Sequence, residues 1–139
     1  MKRRQFIIAA ATTPLFAPFV LAGTNTVTFA PGIVQEMLAA GQTVHVDFFA
    51  SWCPTCRAQE RVLEGLRTKF PVYNDNIEFV ILNWDLYSRA EISLKHNIPR
   101  RSTLLLLRGD QELGRNVAGT SYGSIKRLLD LALDEPASA

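Results

Sequence analysis

The run Thr43-Val-His-Val-Asp-Phe-Phe-Ala50 limits the folds open to this chain more than any other segment. A strand with one wet face alternates apolar and polar side chains; this one is β-branched and aromatic with almost no polar relief. That is the pattern of a central strand covered on both faces. Such a strand needs a layer of structure above it and another below. Asp47, in the middle of the run, is a carboxylate with no exposed face to occupy, and its presence asks for a reason.

The flanking segments supply the layers. A short strand around 26–29 precedes a helix opened by Pro31, with Ile33, Val34, Met37 and Leu38 on one side and Gly41 at its end. After Cys53-Pro-Thr-Cys56, residues 57–70 place Val62, Leu63, Leu66 and Phe70 at helical spacing until Pro71. Residues 77–82 form a second buried strand, and Ser88-Arg-Ala-Glu91 has capping-box spacing ahead of a short helix bearing Ile92 and Leu94. Residues 103–107 and 112–117 pair across a turn at Gly109-Asp110, and a last amphipathic helix carries Ile125, Leu128, Leu129 and Ala132. The order β-α-β-α-β-α-β-β-α predicts an α/β fold with a central mixed sheet and helices on both faces, its first half parallel and its last strand antiparallel.

Residues 1–22 stand apart. Lys2, Arg3 and Arg4 precede an apolar run from Phe6 to Leu21 that ends in Val20-Leu21-Ala22, the pattern of a cleavable signal peptide. Pro14 and Pro18 interrupt the run, which falls short of the roughly 20 residues of a membrane-spanning helix; an uncleaved leader acting as an anchor is the other reading. Arg3-Arg4-Gln5-Phe6-Ile7 also resembles a twin-arginine signal, and that route and the general secretory route both stay open. Residues 23–139 then form one domain, exported to the periplasm, with a short frayed tail over 134–139. Without the leader the chain has 12 Lys and Arg against 13 Asp and Glu, a net charge of −1. The basic excess belongs to the leader, and no charge pattern points to nucleic acid or an anionic membrane surface.

Chemistry concentrates at the cysteines. Two sulfurs three residues apart at a helix start are close enough to form a disulfide. The helix dipole and the free N–H groups of the first turn favour a thiolate at Cys53, below the usual value of about 8.5, while Cys56 sits one turn inside. Cys53, nearer the exposed helix tip, is expected to attack and Cys56 to resolve, with Pro54 and Thr55 forming the turn between them. Cys53 lies just past the carboxyl end of the 43–50 strand, where sheets of this kind present reactive groups.

Val46-Asp-Phe-Phe-Ala-Ser-Trp-Cys-Pro-Thr-Cys56 resembles the active-site strand and turn of thioredoxins, with Asp47 six residues before the first cysteine. Leu82-Asn-Trp-Asp85, the 103–107 strand and Gly119 follow in matching order, so the resemblance spans nearly all of residues 25–133. It implies a thioredoxin-like fold and a thiol:disulfide oxidoreductase, with protein disulfides as substrates and a protein electron donor, a membrane thiol reductase among the candidates. No flavin or nicotinamide motif is present; no cofactor is expected, and the protein is expected to be a monomer. Trp52-Cys-Pro-Thr-Cys-Arg-Ala58 looks most like periplasmic thiol reductases of cytochrome c maturation.

Three positions depart from the thioredoxin pattern. Ser102 stands where the family carries a cis-proline; a cis bond before a non-proline residue costs about 3 kcal/mol, leaving a trans loop, a strained cis one, or a cis bond at Pro99 instead. Ile81 stands where a lysine usually neighbours the buried aspartate, so Asp47 is expected to tend toward its neutral form and to exchange protons with Cys56. Arg61 replaces a helix-kinking proline, which predicts a straighter helix.

Other readings remain. The cysteines could form an inert disulfide, or bind copper or zinc with His45 or His96 as in a metallochaperone; the redox cycle could equally run as thiol oxidation. No metal is assigned. His45 otherwise reads as a strand residue and His96 as a helix end, Asp47 as a satisfied core group, and Trp52 as packing or as a platform for substrate. Arg100 and Arg101 read as a solvated pair or as steering for an acidic partner.

Overall fold

The computed structural model describes residues 25–134. The leader at 1–22 and the end of the tail, 135–139, lie outside the described residues. The chain runs β1 (Thr26–Thr28), α1 (Ile33–Ala39), β2 (Thr43–Phe49), α2 (Pro54–Lys69), α3 (Val72–Asn76), β3 (Glu78–Asn83), α4 (Trp84–Tyr87), α5 (Glu91–Lys95), β4 (Thr103–Arg108), β5 (Gln111–Val117) and α6 (Tyr122–Asp130).

The five strands form one mixed sheet in the order β1-β3-β2-β4-β5, with β2 at its centre as its composition predicts. β1, β3 and β2 are parallel to one another; β4 is antiparallel to β2, and β5 antiparallel to β4. The reversed strand is thus β4 rather than the last one, because the tight turn at Gly109, whose φ is 60°, folds β5 straight back along it.

Side chains alternate across the sheet into two cores. On one face Val44, Val46 and Phe48 of β2 join Val80, Leu82, Leu105 and Leu107 beneath α1, α4 and α5. On the other, Phe79, Leu104 and Leu106 meet Leu63 and Leu66 of α2, Tyr73 of α3, and Ile125, Leu128 and Leu129 of α6. α1 ends at Gly41, whose φ of 82° lets the Gly41 and Gln42 amides return to the carbonyls of Leu38 and Met37.

The capping box expected at Ser88 does not form. Asn83 caps α4 through its side-chain oxygen on the Asp85 amide, and Ser88 closes that helix in a helical conformation. α5 therefore begins at Glu91 with Ala90 as its N-cap, burying Ile92 but turning Leu94 outward at 63% exposure. α2 starts at Pro54, so the cysteine pair stands at the helix start with Cys56 in its first turn, and it continues without a break through Arg61 to Lys69.

Candidate active site

Cys53 is the N-cap of α2. Its backbone is extended, Pro54 occupies the first helical position, and its sulfur accepts a hydrogen bond from the Cys56 amide at 3.1 Å. A thiol here does what serine or aspartate oxygen does at other helix starts, taking an N–H that has no partner within the helix. The sequence motif and the helix cap are thus one object. The two cysteines are free thiols, and both are buried.

The expectation of an exposed Cys53 is corrected: it is only 1% exposed. Ser102, delivered from the loop ahead of β4, packs its hydroxyl against both sulfurs, 3.2 Å from Cys53 Sγ and 3.1 Å from Cys56 Sγ. The loop is trans at Ser102 and at Pro99, since no cis peptide bond occurs among the described residues. Ser102 instead holds φ at 65°, a left-handed conformation that non-glycine residues seldom take. Five hydrogen-bonding contacts fix it there. Its amide donates to Phe48 O, its carbonyl accepts from the Ala118 amide and from Gln59 Nε2, and its hydroxyl meets the sulfurs. Gln59 Nε2 also reaches Gly119 O at 3.0 Å, tying α2 to the segment after β5. Gln59 escaped the sequence reading; the signal was a polar residue in line with Cys56, Leu63 and Leu66 on the buried side of α2.

These contacts split the two thiols. Burial pushes the Cys53 thiol up, but hydrogen bonds from the Cys56 thiol, the Ser102 hydroxyl and the Cys56 amide, together with the nearby Arg101 side chain, outweigh it and bring it down to about 7. Burial, then the hydrogen bond it gives to Cys53, pushes the Cys56 thiol upward. A hydroxyl and a thiol each have a single proton to donate, and with Cys53 as the acceptor both Ser102 O–H and Cys56 S–H turn theirs to its sulfur. The arrangement favours a thiolate at Cys53 beside a protonated Cys56.

Asp47 lies in register beside Ile81 and has no cation partner. Burial, then the charges of Glu60 and Cys53, raise its carboxyl to about 8. Its Oδ1 has no hydrogen-bond partner, and neither has Nε2 of His45, two residues earlier on the same face. Both residues line a cavity of about 50 Å³ with Glu60, Glu64 and Arg67, a volume that holds water. Arg67 does not neutralise Asp47; it binds Asn74, Thr26 and Asn25 O and stacks on Phe79. Burial, then Arg67, holds His45 down to about 3.

Fold, cysteine turn and buried aspartate converge with the comparison to known proteins: the thioredoxin family profile matches residues 25–130. The chain belongs to the thioredoxin family. A thioredoxin-like protein of Fusarium culmorum is 30% identical over 102 residues, 73% of this chain and 82% of that one. A thiol:disulfide interchange protein DsbE homolog of Paracoccus denitrificans is 43% identical over 51 residues, which cover 34% of this chain and 28% of that protein. Among solved structures, Trxlp from Edwardsiella tarda superposes with a TM-score of 0.65 at 28% identity, covering 76% of this chain and 98% of that one.

Within this thioredoxin-family frame, Trp52 is 55% exposed rather than packed in the core, and its Nε1 donates to both carboxylate oxygens of Asp85 at 3.0 and 3.1 Å. Pro54 and Thr55 occupy the first turn of α2 between the cysteines. Trp84 packs against Phe48 and borders the cysteine cluster. The histidines do not join the thiols: His45 faces the cavity and Phe79, and His96 ends α5. Among the described residues no three His, Cys, Asp or Glu side chains gather in a cluster that could hold a metal ion.

Proposed function

We propose that this protein is a thiol:disulfide oxidoreductase that reduces disulfides of exported proteins, with Cys53 as nucleophile and Cys56 as resolving thiol. The observation that carries the proposal is the capping thiol of Cys53, held at about 7 and linked to Cys56 through one serine hydroxyl. The Cys53 thiolate attacks one sulfur of a substrate disulfide, forms a mixed disulfide and releases the other sulfur as a thiolate, which takes up a proton. Cys56 then loses its proton and attacks Cys53 Sγ, releasing the second substrate thiol and leaving a Cys53–Cys56 disulfide. Two electrons and two protons reach the substrate, and a protein dithiol resets the pair. Asp47, which holds its own proton up to about pH 8, is in its ionised form the buried base that takes the Cys56 proton.

Export to the periplasm, by either secretory route, rests on the pattern of residues 1–22, and a membrane thiol reductase is the electron donor that such a location suggests. The partial match to the interchange protein and the Trp52–Ala58 segment favour the reductases of cytochrome c maturation as nearest in role. The protein acts as a monomer in this scheme.

Four variants test it. Cys53→Ser abolishes reduction of a protein disulfide, while Cys56→Ser accumulates the mixed disulfide; reduction surviving in Cys53→Ser rejects the scheme. Ser102→Ala and Ser102→Gly both raise the Cys53 pKa, read from the pH dependence of alkylation, although only the glycine relieves the positive φ. If only one of the two shifts it, backbone conformation and not the hydroxyl sets the thiolate. The direction of electron flow follows from the reduction potential: near or below roughly −220 mV the protein is a reductase, and near −120 mV an oxidant.

A further inference from the structure

Arg101 is the charged group beside the thiols, and besides helping to hold the Cys53 thiol down it has a geometry that points to a second role. Its guanidinium lies 4.3 Å from the centre of the Trp52 ring, and that ring is pinned by the two bonds to Asp85. Its Nε is sealed from solvent with no hydrogen-bond partner. The ion pairs among the described residues are Arg115–Glu112 and Lys126–Asp130, so Arg101 and its neighbour Arg100 have no carboxylate partner at the rim of the nucleophile. Arg100 Nε turns back to Arg101 O, leaving Arg101 as the cation that points to the site.

A guanidinium offers five N–H donors in a planar fork that fits a carboxylate, and stacking on an aromatic ring fixes the plane of the fork in advance. While Cys53 is a thiolate, part of that charge faces the sulfur. Once Cys53 enters a mixed disulfide its negative charge is gone, and the guanidinium donors that faced it are released beside the new disulfide.

We propose that Arg101, stacked on Trp52, is a carboxylate subsite that selects protein disulfides whose attacked cysteine is flanked by Asp or Glu. The inference rests on the oxidoreductase reading above and adds the substrate class to it. It gives the Asp85–Trp52–Arg101 array a purpose that a merely solvated arginine lacks: the indole fixes the plane of the fork beside the reacting sulfur.

The test compares two disulfide-linked peptides that differ only in Glu or Gln beside the cysteine, reduced by the full chain, by R101Q and by R101K. The ratio of kcat/KM for the two peptides within each protein cancels any change in Cys53 reactivity. The wild type prefers the Glu peptide by about tenfold at low salt, the size of one charge-assisted hydrogen bond, and by less at high salt. The ratio falls to about one in R101Q and stays in between in R101K, whose ammonium keeps the charge without the fork. A wild-type ratio near one, or a preference that survives in R101Q, overturns the subsite while leaving oxidoreductase activity in place. Failure of the wild type to reduce either peptide removes both readings.

Discussion

The two faces of β2 are both covered and differ in almost everything else. On one, Val44, Val46 and Phe48 pack into a wholly apolar cluster with Val80, Leu82 and Leu105. On the other, Thr43, His45 and Asp47 are also buried, and two of them present polar atoms with no partner to a small cavity. The first face contributes stability through burial of apolar area and dense packing. The second weakens stability, because each titratable group there is forced to stay neutral where water would let it ionise. The lesson is that one strand holds the domain together with its even-numbered residues and keeps acid–base chemistry with its odd-numbered ones.

The contrast breaks most visibly at Phe48. Truncation by Phe48→Ala should destabilise the domain by about 3–5 kcal/mol, measured by urea unfolding. A cost below about 1 kcal/mol would mean that the apolar face is not where stability resides.

Asp47→Asn should act in the opposite direction. The folded-state value of Asp47, about 8, lies above its ordinary 3.8, so the folded state binds the proton more tightly than the unfolded chain does. Stability is then greatest at low pH and falls as pH rises from about 4 to about 8. Asp47→Asn should remove this fall and gain up to about 4 kcal/mol at pH 7, with little gain at pH 4. It should also slow disulfide reduction. Equal stability of the two proteins across that range would place Asp47 in an ordinary, solvated setting.

His45 gives the mirror image. Its folded value, about 3, lies below the ordinary 6.5, so its contribution is lost as pH falls from about 6.5 toward 3. His45→Leu should therefore gain about 2 kcal/mol at pH 5 and little at pH 8, checked by thermal unfolding at both values. The smallest effect belongs to Glu60, whose charge is the second cause of the Asp47 shift. Glu60→Gln should lower the Asp47 value and ease the neutral-pH decline by less than about 1 kcal/mol, visible as a displaced stability–pH curve. A curve that does not move would leave burial alone as the cause.

Much of this was legible in the chain. The unrelieved apolar character of residues 43–50 places β2 at the centre of a covered sheet, and an aspartate there is conspicuous against it. The short CxxC spacing next to a helix, and the missing lysine and proline at Ile81 and Ser102, can be read without coordinates once the thioredoxin resemblance is seen. The helix start at residues 88–91 could not be: Ser88 and Glu91 have the right spacing, but Asn83 caps an earlier turn and uses up the chain ahead of α5. Local pattern loses there to the geometry of the preceding strand's exit.

What the sequence by itself determined is whatever depends on neighbours along the chain: strand and helix periodicity, the thiol at a helix start, the buried carboxylate without a lysine beside it. Only the tertiary structure decided that Ser102 bridges both sulfurs, that Cys53 is sealed, and that Arg101 lies on Trp52. Each of these contacts joins residues 46 to 49 positions apart in the chain. The physical reason is that a contact across such a separation depends on where the sheet sets the 100–102 loop against the start of α2. Interstrand pairing and packing fix that placement, and no local propensity encodes it.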